Sequence, residues 1–280
     1  MNDCQDLDEY AQWIDSRLDN LEDVLRWAGE RGMKIVIDIH VAPGGRNEKD
    51  QEMNMFHNDK FAEAWLDTWR RIATRFKGNP AIYGYDFINE PNQKGRAKHD
   101  YWTLQRRAAE IVRAIDPDTP VIIESNSCAS ASTFAYLSPL RMDNAIYQVH
   151  CYVPSQFTHQ GINNYDLGTK WPDPEKGWDK EFVREALRPV REFQLRHHAR
   201  IYVGEFSAIA WADGAERYLR DCIELFEEYG WDWTYHAFRE WDGWSVEHEG
   251  PDRDHMVPSP DNPRKRALLE GLRCDIVLAP

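Results

Sequence analysis

Two glutamates stand at positions where a chain of this pattern can put them to chemical use. Glu90 follows the apolar run Ala81-Ile82-Tyr83-Gly84-Tyr85-Asp86-Phe87-Ile88 and precedes Pro91, which stops the strand and fixes the turn. Glu205 ends the run Ile201-Tyr202-Val203-Gly204, where the glycine lets chain or ligand approach closely. Polar residues also gather at the ends of other apolar runs: His40, Asn89, His150 with Tyr152, and Glu240 with Trp241. One carboxylic acid that protonates a leaving oxygen, with a second carboxylate that attacks the anomeric carbon or activates a water that does, is the equipment of glycoside cleavage. Each residue alone has a bland use: a glutamate caps a loop, a histidine bonds in the core, a tryptophan packs. Five such groups at successive strand ends are harder to assign to packing and solvation.

Elements of alternating type position these groups. Tyr10, Ile14, Leu18, Leu21, Leu25 and Ala28 recur at three- and four-residue steps and predict a first helix, ended by Gly32. A strand is expected over 34–40, then a helix with Phe61, Trp65, Trp69, Ile72 and Phe76 on one face and Asn58 as N-cap. The strand over 81–88 follows, then a helix presenting Tyr101, Leu104, Ala108, Ile111 and Ile115, and strands over 121–124 and 145–150. A loop rich in Pro, Gly and Trp spans roughly 152–177. Beyond it lie a helix with Phe182, Ala186, Val190 and Phe193, the strand over 201–205, and a helix with Tyr218, Leu219, Cys222 and Phe226. A last strand over 233–238, an irregular acidic stretch and a short helix near 266–272 close the chain. Six strands alternating with helices argue for a parallel sheet flanked by helices. Without a fixed-length repeat, low-complexity tract or linker, residues 1–280 read as one catalytic domain.

The bulk figures narrow the partners. With 34 basic against 48 acidic residues the net charge is −14, which repels a phosphate backbone, so no nucleic-acid partner is expected. A neutral polysaccharide is indifferent to that field. No apolar stretch approaches the ~20 residues of a membrane span, so no membrane partner is expected. Residues 1–8 are polar and acidic, unlike a signal peptide. That reads as cytoplasmic, or as secreted or periplasmic where the natural precursor is longer. Cys4, Cys128, Cys151, Cys222 and Cys274 are scattered, odd in number and without a Cys-x-x-Cys pair, so they read as buried free thiols, with one disulfide left open. The run from Glu247 to His255 reads as a solvated loop, and no metal site is expected. Twelve tryptophans accompany twelve tyrosines, and Trp171, Trp178, Trp211, Trp241 and Trp244 fall in loop-like or strand-end segments, where flat aromatic faces suit the C–H faces of sugar rings.

The segments Asn89-Glu90-Pro91 and Gly204-Glu205-Phe206, with Asp38-Ile39-His40, His150-Cys151-Tyr152 and Trp241, resemble glycoside hydrolase family 5, the family of many cellulases. The resemblance runs from the first helix to the last strand. It implies an α/β fold of the TIM-type (β/α) barrel, with active-site residues on the rim at the C-terminal strand ends. It implies Glu90 as acid/base, which must begin protonated, and Glu205 as nucleophile, with retention of configuration and carboxyl groups about 5–5.5 Å apart. Asn89 would bond the sugar 2-hydroxyl and His40 would line the adjacent subsite. His150 and Tyr152 would stand beside the catalytic pair, the tyrosine hydroxyl holding Glu205, and Trp241 would stack under the sugar. No metal or organic cofactor is implied. The implied substrate is a plant-type polysaccharide or oligosaccharide cut at internal β-1,4 linkages, with mannan, xylan or another decorated glycan as the alternative.

The chain opens on the helix that follows the second barrel strand in the family, so the resemblance implies a barrel truncated to six β/α units. The arginine that braces the nucleophile from the second strand is then absent, and Arg46 and Arg239 are the candidates to replace it. Six strands cannot close a barrel suited to eight, so strands 34–40 and 233–238 would be edges, and a homodimer that covers them is expected. A sugar-binding protein that keeps the cleft but has lost turnover is the competing reading, opposed by the presence of both glutamates. A metal-dependent barrel hydrolase would need clustered ligands such as His-x-His at a strand end, and none is found.

Overall fold

In the computed structural model, which describes residues 4–274, the first helix α1 (Leu7–Glu30) starts where Asp6 caps it, its carboxylate accepting from the amides of Asp8 and Glu9 at 2.9 and 3.0 Å. Tyr10, Ile14, Leu18, Leu25 and Ala28 form its buried stripe. The chain leaves the helix through Gly32 in the left-handed region (φ 66°) and enters β1 (Ile35–Asp38). After a 3-10 turn at Asn54–Phe56 comes α2 (Asp59–Phe76), capped by Asn58 as expected, then β2 (Ile82–Asp86), α3 (Tyr101–Ile115) and β3 (Val121–Glu124). A short turn, α4 (Asn126–Ala129), and a second 3-10 segment (Ala131–Tyr136) lead to β4 (Ala145–Cys151).

Two compact units divide the chain, Met1–Gln148 and Val149–Pro280, and the division falls inside β4. In the first unit β1 pairs with β2, β2 with β3, and β3 with the Ala145–Gln148 part of β4, all parallel. Asp38 is in register with Asp86, and Glu124 with Gln148, so the polar strand ends form a row. Gly84 allows β3 to approach, since a Cβ there would stand 3.0 Å from the Ile122 side chain. The core is centred on α2: Trp65 and Trp69 are fully buried, and the Trp69 indole N–H donates to the Phe87 carbonyl (3.0 Å), fixing the chain just beyond β2. On α3 the inward face is Leu104, Ala108, Ala109 and Val112, whereas the expected Ile111 and Ile115 are half-buried.

The second unit contains the end of β4, the turn α5 (Ser155–Thr158), α6 (Lys180–His197), β5 (Arg200–Phe206), α7 (Ala215–Tyr229) and β6 (Asp232–Trp233). A small antiparallel pair, β7 (His248–Glu249) with β8 (Val257–Pro258), and α8 (Pro263–Cys274) complete it. β5 and β6 are parallel, and the strand order β1-β2-β3-β4-β5-β6 follows the chain. The six expected strands are present. The last is shorter than its sequence suggests, because regular pairing stops at Trp233, although the amides of Thr234 and His236 still donate to Val203 and Phe206. On α6 the buried face is Val183, Leu187, Val190 and Phe193, one position round from Phe182 and Ala186. The acidic stretch is less irregular than its composition implies, since it holds the β7–β8 pair.

Candidate active site

In the first unit the site is built where β2 ends. The chain stays extended past Asp86 as far as Asn89, whose amide donates to the Ile39 carbonyl (3.4 Å). Glu90 then turns into the left-handed region (φ 52°), a conformation non-glycine residues enter seldom, and Pro91 follows. Side chains take over from the sheet as partners of this backbone. Arg46 donates to the carbonyls of Asn89 (3.0 Å) and Glu90 (2.8 Å), and the amide of Glu90 donates to Glu124 Oε2 (2.8 Å). Beside it, His40 lies 3.1 Å from Asp38 through Nδ1 and 3.5 Å from Asn89 through Nε2. With Nδ1 donating to the carboxylate, Nε2 is left to accept from the Asn89 amide.

Glu124 at the end of β3 is completely buried. Its second oxygen accepts from Gln148 (2.5 Å), and Gln105 bonds the Glu124 backbone at both carbonyl and amide (3.0 and 2.9 Å). Burial, with the nearby carboxyls of Asp86, Asp38 and Glu90, holds the Glu124 carboxyl well above the usual carboxylate range.

In the second unit Glu205 lies near the end of β5, its side chain only 17% exposed. The Tyr152 hydroxyl donates to its Oε2 at 2.8 Å. His150, at the end of β4, places Nδ1 3.7 Å from the same oxygen, and His236 places its own Nδ1 at 3.6 Å. The other nitrogen of His236 is 3.1 Å from Glu240. Tyr152 is wedged by aromatic rings, 4.9 Å from His159 and 6.1 Å from Trp244 between centroids. Trp244 in turn meets Trp241 (6.0 Å), and Trp241 meets Trp211 (5.9 Å), whose indole N–H donates to the Gln160 carbonyl (2.8 Å). Gly243 backs Trp241 so closely that a Cβ there would stand 2.6 Å from the ring, and the Arg253 guanidinium lies 5.7 Å from the ring centroid.

Of the residues singled out from sequence, His40, Asn89 and Glu90 are thus neighbours in one unit, and His150, Tyr152 and Glu205 in the other, with Trp241 reached through Trp244. Trp171 is not a ligand platform: it is 2% exposed, its indole donates to Asp221 (2.8 Å), and it packs on Phe157 and Tyr218. Cys4, Cys151 and Cys222 are buried free thiols as expected, but Cys128 is exposed, and the side chain of Cys274 lies outside the described residues. Neither arginine candidate is seen bracing Glu205. Arg46 serves the backbone at Glu90, and Arg239 is engaged with Glu247 (2.6 Å). Glu124 and His236 were not singled out, though each is a polar residue at a strand end, the signal that marked His150.

The profile of the cellulase family, glycosyl hydrolase family 5, matches residues 2–242. Endoglucanase C of Acetivibrio thermocellus is 25% identical over 260 residues, a match that covers 81% of this chain and 75% of that protein. Cel5A of Thermotoga maritima, in crystals with cellobiose, superposes with a TM-score of 0.73 at 25% identity, covering 92% of this chain and 78% of that one. The same protein with mannotriose gives a TM-score of 0.72 at 25% identity and the same coverage. With six parallel strands in chain order, helices between them and a family match that runs from the first helix into the loop after β6, the chain belongs to glycosyl hydrolase family 5 and is an endo-β-glycoside hydrolase on the (β/α)-barrel fold.

Proposed function

We propose that this protein is a retaining endo-β-1,4-glucanase in which Glu90 is the acid/base and Glu205 the nucleophile. The observation that carries the assignment is the Glu205 carboxylate, mostly enclosed, oriented by the Tyr152 hydroxyl and facing two imidazoles. That setting keeps one oxygen engaged and leaves the other for attack. In the first step Glu205 attacks the anomeric carbon as the C–O bond breaks, and the Glu90 proton passes to the leaving oxygen. In the second, Glu90 takes a proton from water, which attacks the same carbon and releases Glu205. Asn89, bonded to His40, is assigned to the sugar 2-hydroxyl, His40 and His150 to the walls of the subsite, and Trp241 to stacking beneath the ring. The family match crosses the boundary between the two units, which supports reading them as one catalytic domain.

Proton NMR of the first-formed product tests retention directly. A β-anomer agrees with the assignment, and an α-anomer overturns it. A screen of soluble β-glucan, mannan and xylan tests the substrate, and mannan has a specific claim because a similar structure holds mannotriose. A two-fold dimer is proposed as well, since β1 and β6 end the sheet and β1 carries Ile35, Val36 and Ile37. Light scattering that finds a stable, active monomer would sink it.

A further inference from the structure

The reading of Glu90 as acid/base leaves unexplained a fully buried carboxyl and an arginine that both end on its backbone. We propose that Glu124 and Arg46 are positioning residues of the acid/base, gripping the Glu90 peptide from its two sides. The inference rests on that reading of Glu90. Regular pairing of β2 stops at Asp86, four residues earlier, so no strand neighbour fixes the Glu90 peptide. Its amide is taken by Glu124 Oε2 (2.8 Å), and its carbonyl with that of Asn89 by a single Arg46 nitrogen (2.8 and 3.0 Å).

Both partners are fixed in turn. Glu124 has no exposed surface and is bonded by Gln105 and Gln148. Arg46 also donates to the Gln51 carbonyl (3.2 Å) and sits in an antiparallel bridge with Met53. A buried carboxyl set among Asp38, Asp86 and Glu90 is a poor choice for stability alone, because burial and like charge both work against it. As an acceptor that holds one amide, it has a use. Swinging the Glu90 peptide moves the carboxyl off the line to the glycosidic oxygen, and proton transfer is the step that suffers.

The test separates that step from binding and folding. Glu124→Leu removes the acceptor, Glu124→Gln keeps one, and Arg46→Met removes the other grip. Glu90→Ala is the benchmark. Each is assayed on the polymer the enzyme cleaves fastest and on the 2,4-dinitrophenyl glycoside of its disaccharide unit, whose leaving group departs without a proton. The first step on the aryl glycoside is read from the burst of dinitrophenolate. Glu124→Leu and Arg46→Met are expected to lose about 10- to 100-fold in kcat on polymer, with KM little changed, and under about threefold in the burst rate. Glu124→Gln is expected to stay near wild type. Equal losses on both substrates, no loss on polymer, or a Glu124→Gln variant as poor as Glu124→Leu would overturn the proposal. Should Glu124→Leu fail to fold, Arg46→Met carries the same contrast. If Glu90→Ala itself loses rate equally on both substrates, the acid/base reading fails first, and the grip loses its purpose with it.

Discussion

Replacing Tyr152 by phenylalanine removes one hydroxyl and little else. The ring keeps its contacts with His159, Trp244 and His236 at 4.9, 6.1 and 6.3 Å between centroids, so the fold should tolerate the change. What is lost is an O–H donating to Glu205 at 2.8 Å. A hydrogen bond to a charged group is worth about 1.5–3 kcal/mol, and at ~1.36 kcal/mol per decade that is roughly 10- to 150-fold in rate if the whole bond serves to aim the carboxylate. The two imidazole nitrogens stand at 3.6 and 3.7 Å, beyond hydrogen-bond reach, and the carboxylate is too enclosed for water to substitute freely. The expected outcome is therefore a fall in kcat/KM of about tenfold or more with KM little changed. An activated 2-deoxy-2-fluoro glycoside, which traps the glycosyl-enzyme, should inactivate the variant more slowly by the same factor, and peptide mass spectrometry should find the label on Glu205. An inactivation rate within twofold of wild type would refute the reasoning. A label on another residue would refute the assignment beneath it.

Three further outcomes are expected. Glu247, with Arg239 and Lys265 on its two oxygens, has its carboxyl lowered to about 2, so its contribution is present above the ordinary carboxylate range and is lost as pH falls toward 2. The difference in Tm between wild type and Glu247→Gln should be steady above about pH 5.5 and shrink below about pH 4.5, and a constant difference would contradict the pairing. Arg264 on α8, 4% exposed, donates to the carbonyls of Ala208, Trp244, Ser245 and His248. Arg264→Met strands buried acceptors at about 1–3 kcal/mol each, so calorimetry should show Tm falling by roughly 6–12 °C, and a change under 2 °C would be a failure. Trp241→Ala should raise KM about tenfold on polymer with kcat within threefold, as loss of a stacking face requires, and an unchanged KM would remove Trp241 from the subsite.

The fold was legible because its signals are local and repeated. All six strands announce themselves as apolar runs bounded by helices with a clear stripe, and Asn58 caps α2 as its position suggests. The failures have particular causes. Each helix face was chosen from a few large side chains, so on α6 the line through Phe182 and Ala186 displaced the true one through Val183 and Leu187. The last strand looked six residues long because Tyr235, Ala237 and Phe238 continue its apolar run, yet Phe238 is 71% exposed and Arg239 turns into the left-handed region. Composition cannot report where pairing stops when the next residues remain apolar.

The candidate site was legible to the extent that its residues use their side chains on substrate. Glu90, Glu205, His40, Asn89, His150 and Tyr152 declare themselves through type and strand-end position. Trp171 misled because a tryptophan in a Pro- and Gly-rich loop carries the same sequence signal whether its face meets solvent or, as here, Phe157 and Tyr218. Glu124 and Arg46 escaped for a different reason. Their partners are the amide of Glu90 and the carbonyls of Asn89 and Glu90, groups that every residue possesses, so no residue type elsewhere in the chain betrays the pairing. A catalytic carboxyl at the end of a strand is the place where such partners are needed. There the sheet ceases to satisfy the backbone just where the side chain must be held most firmly, and side chains distant in sequence must supply the missing bonds.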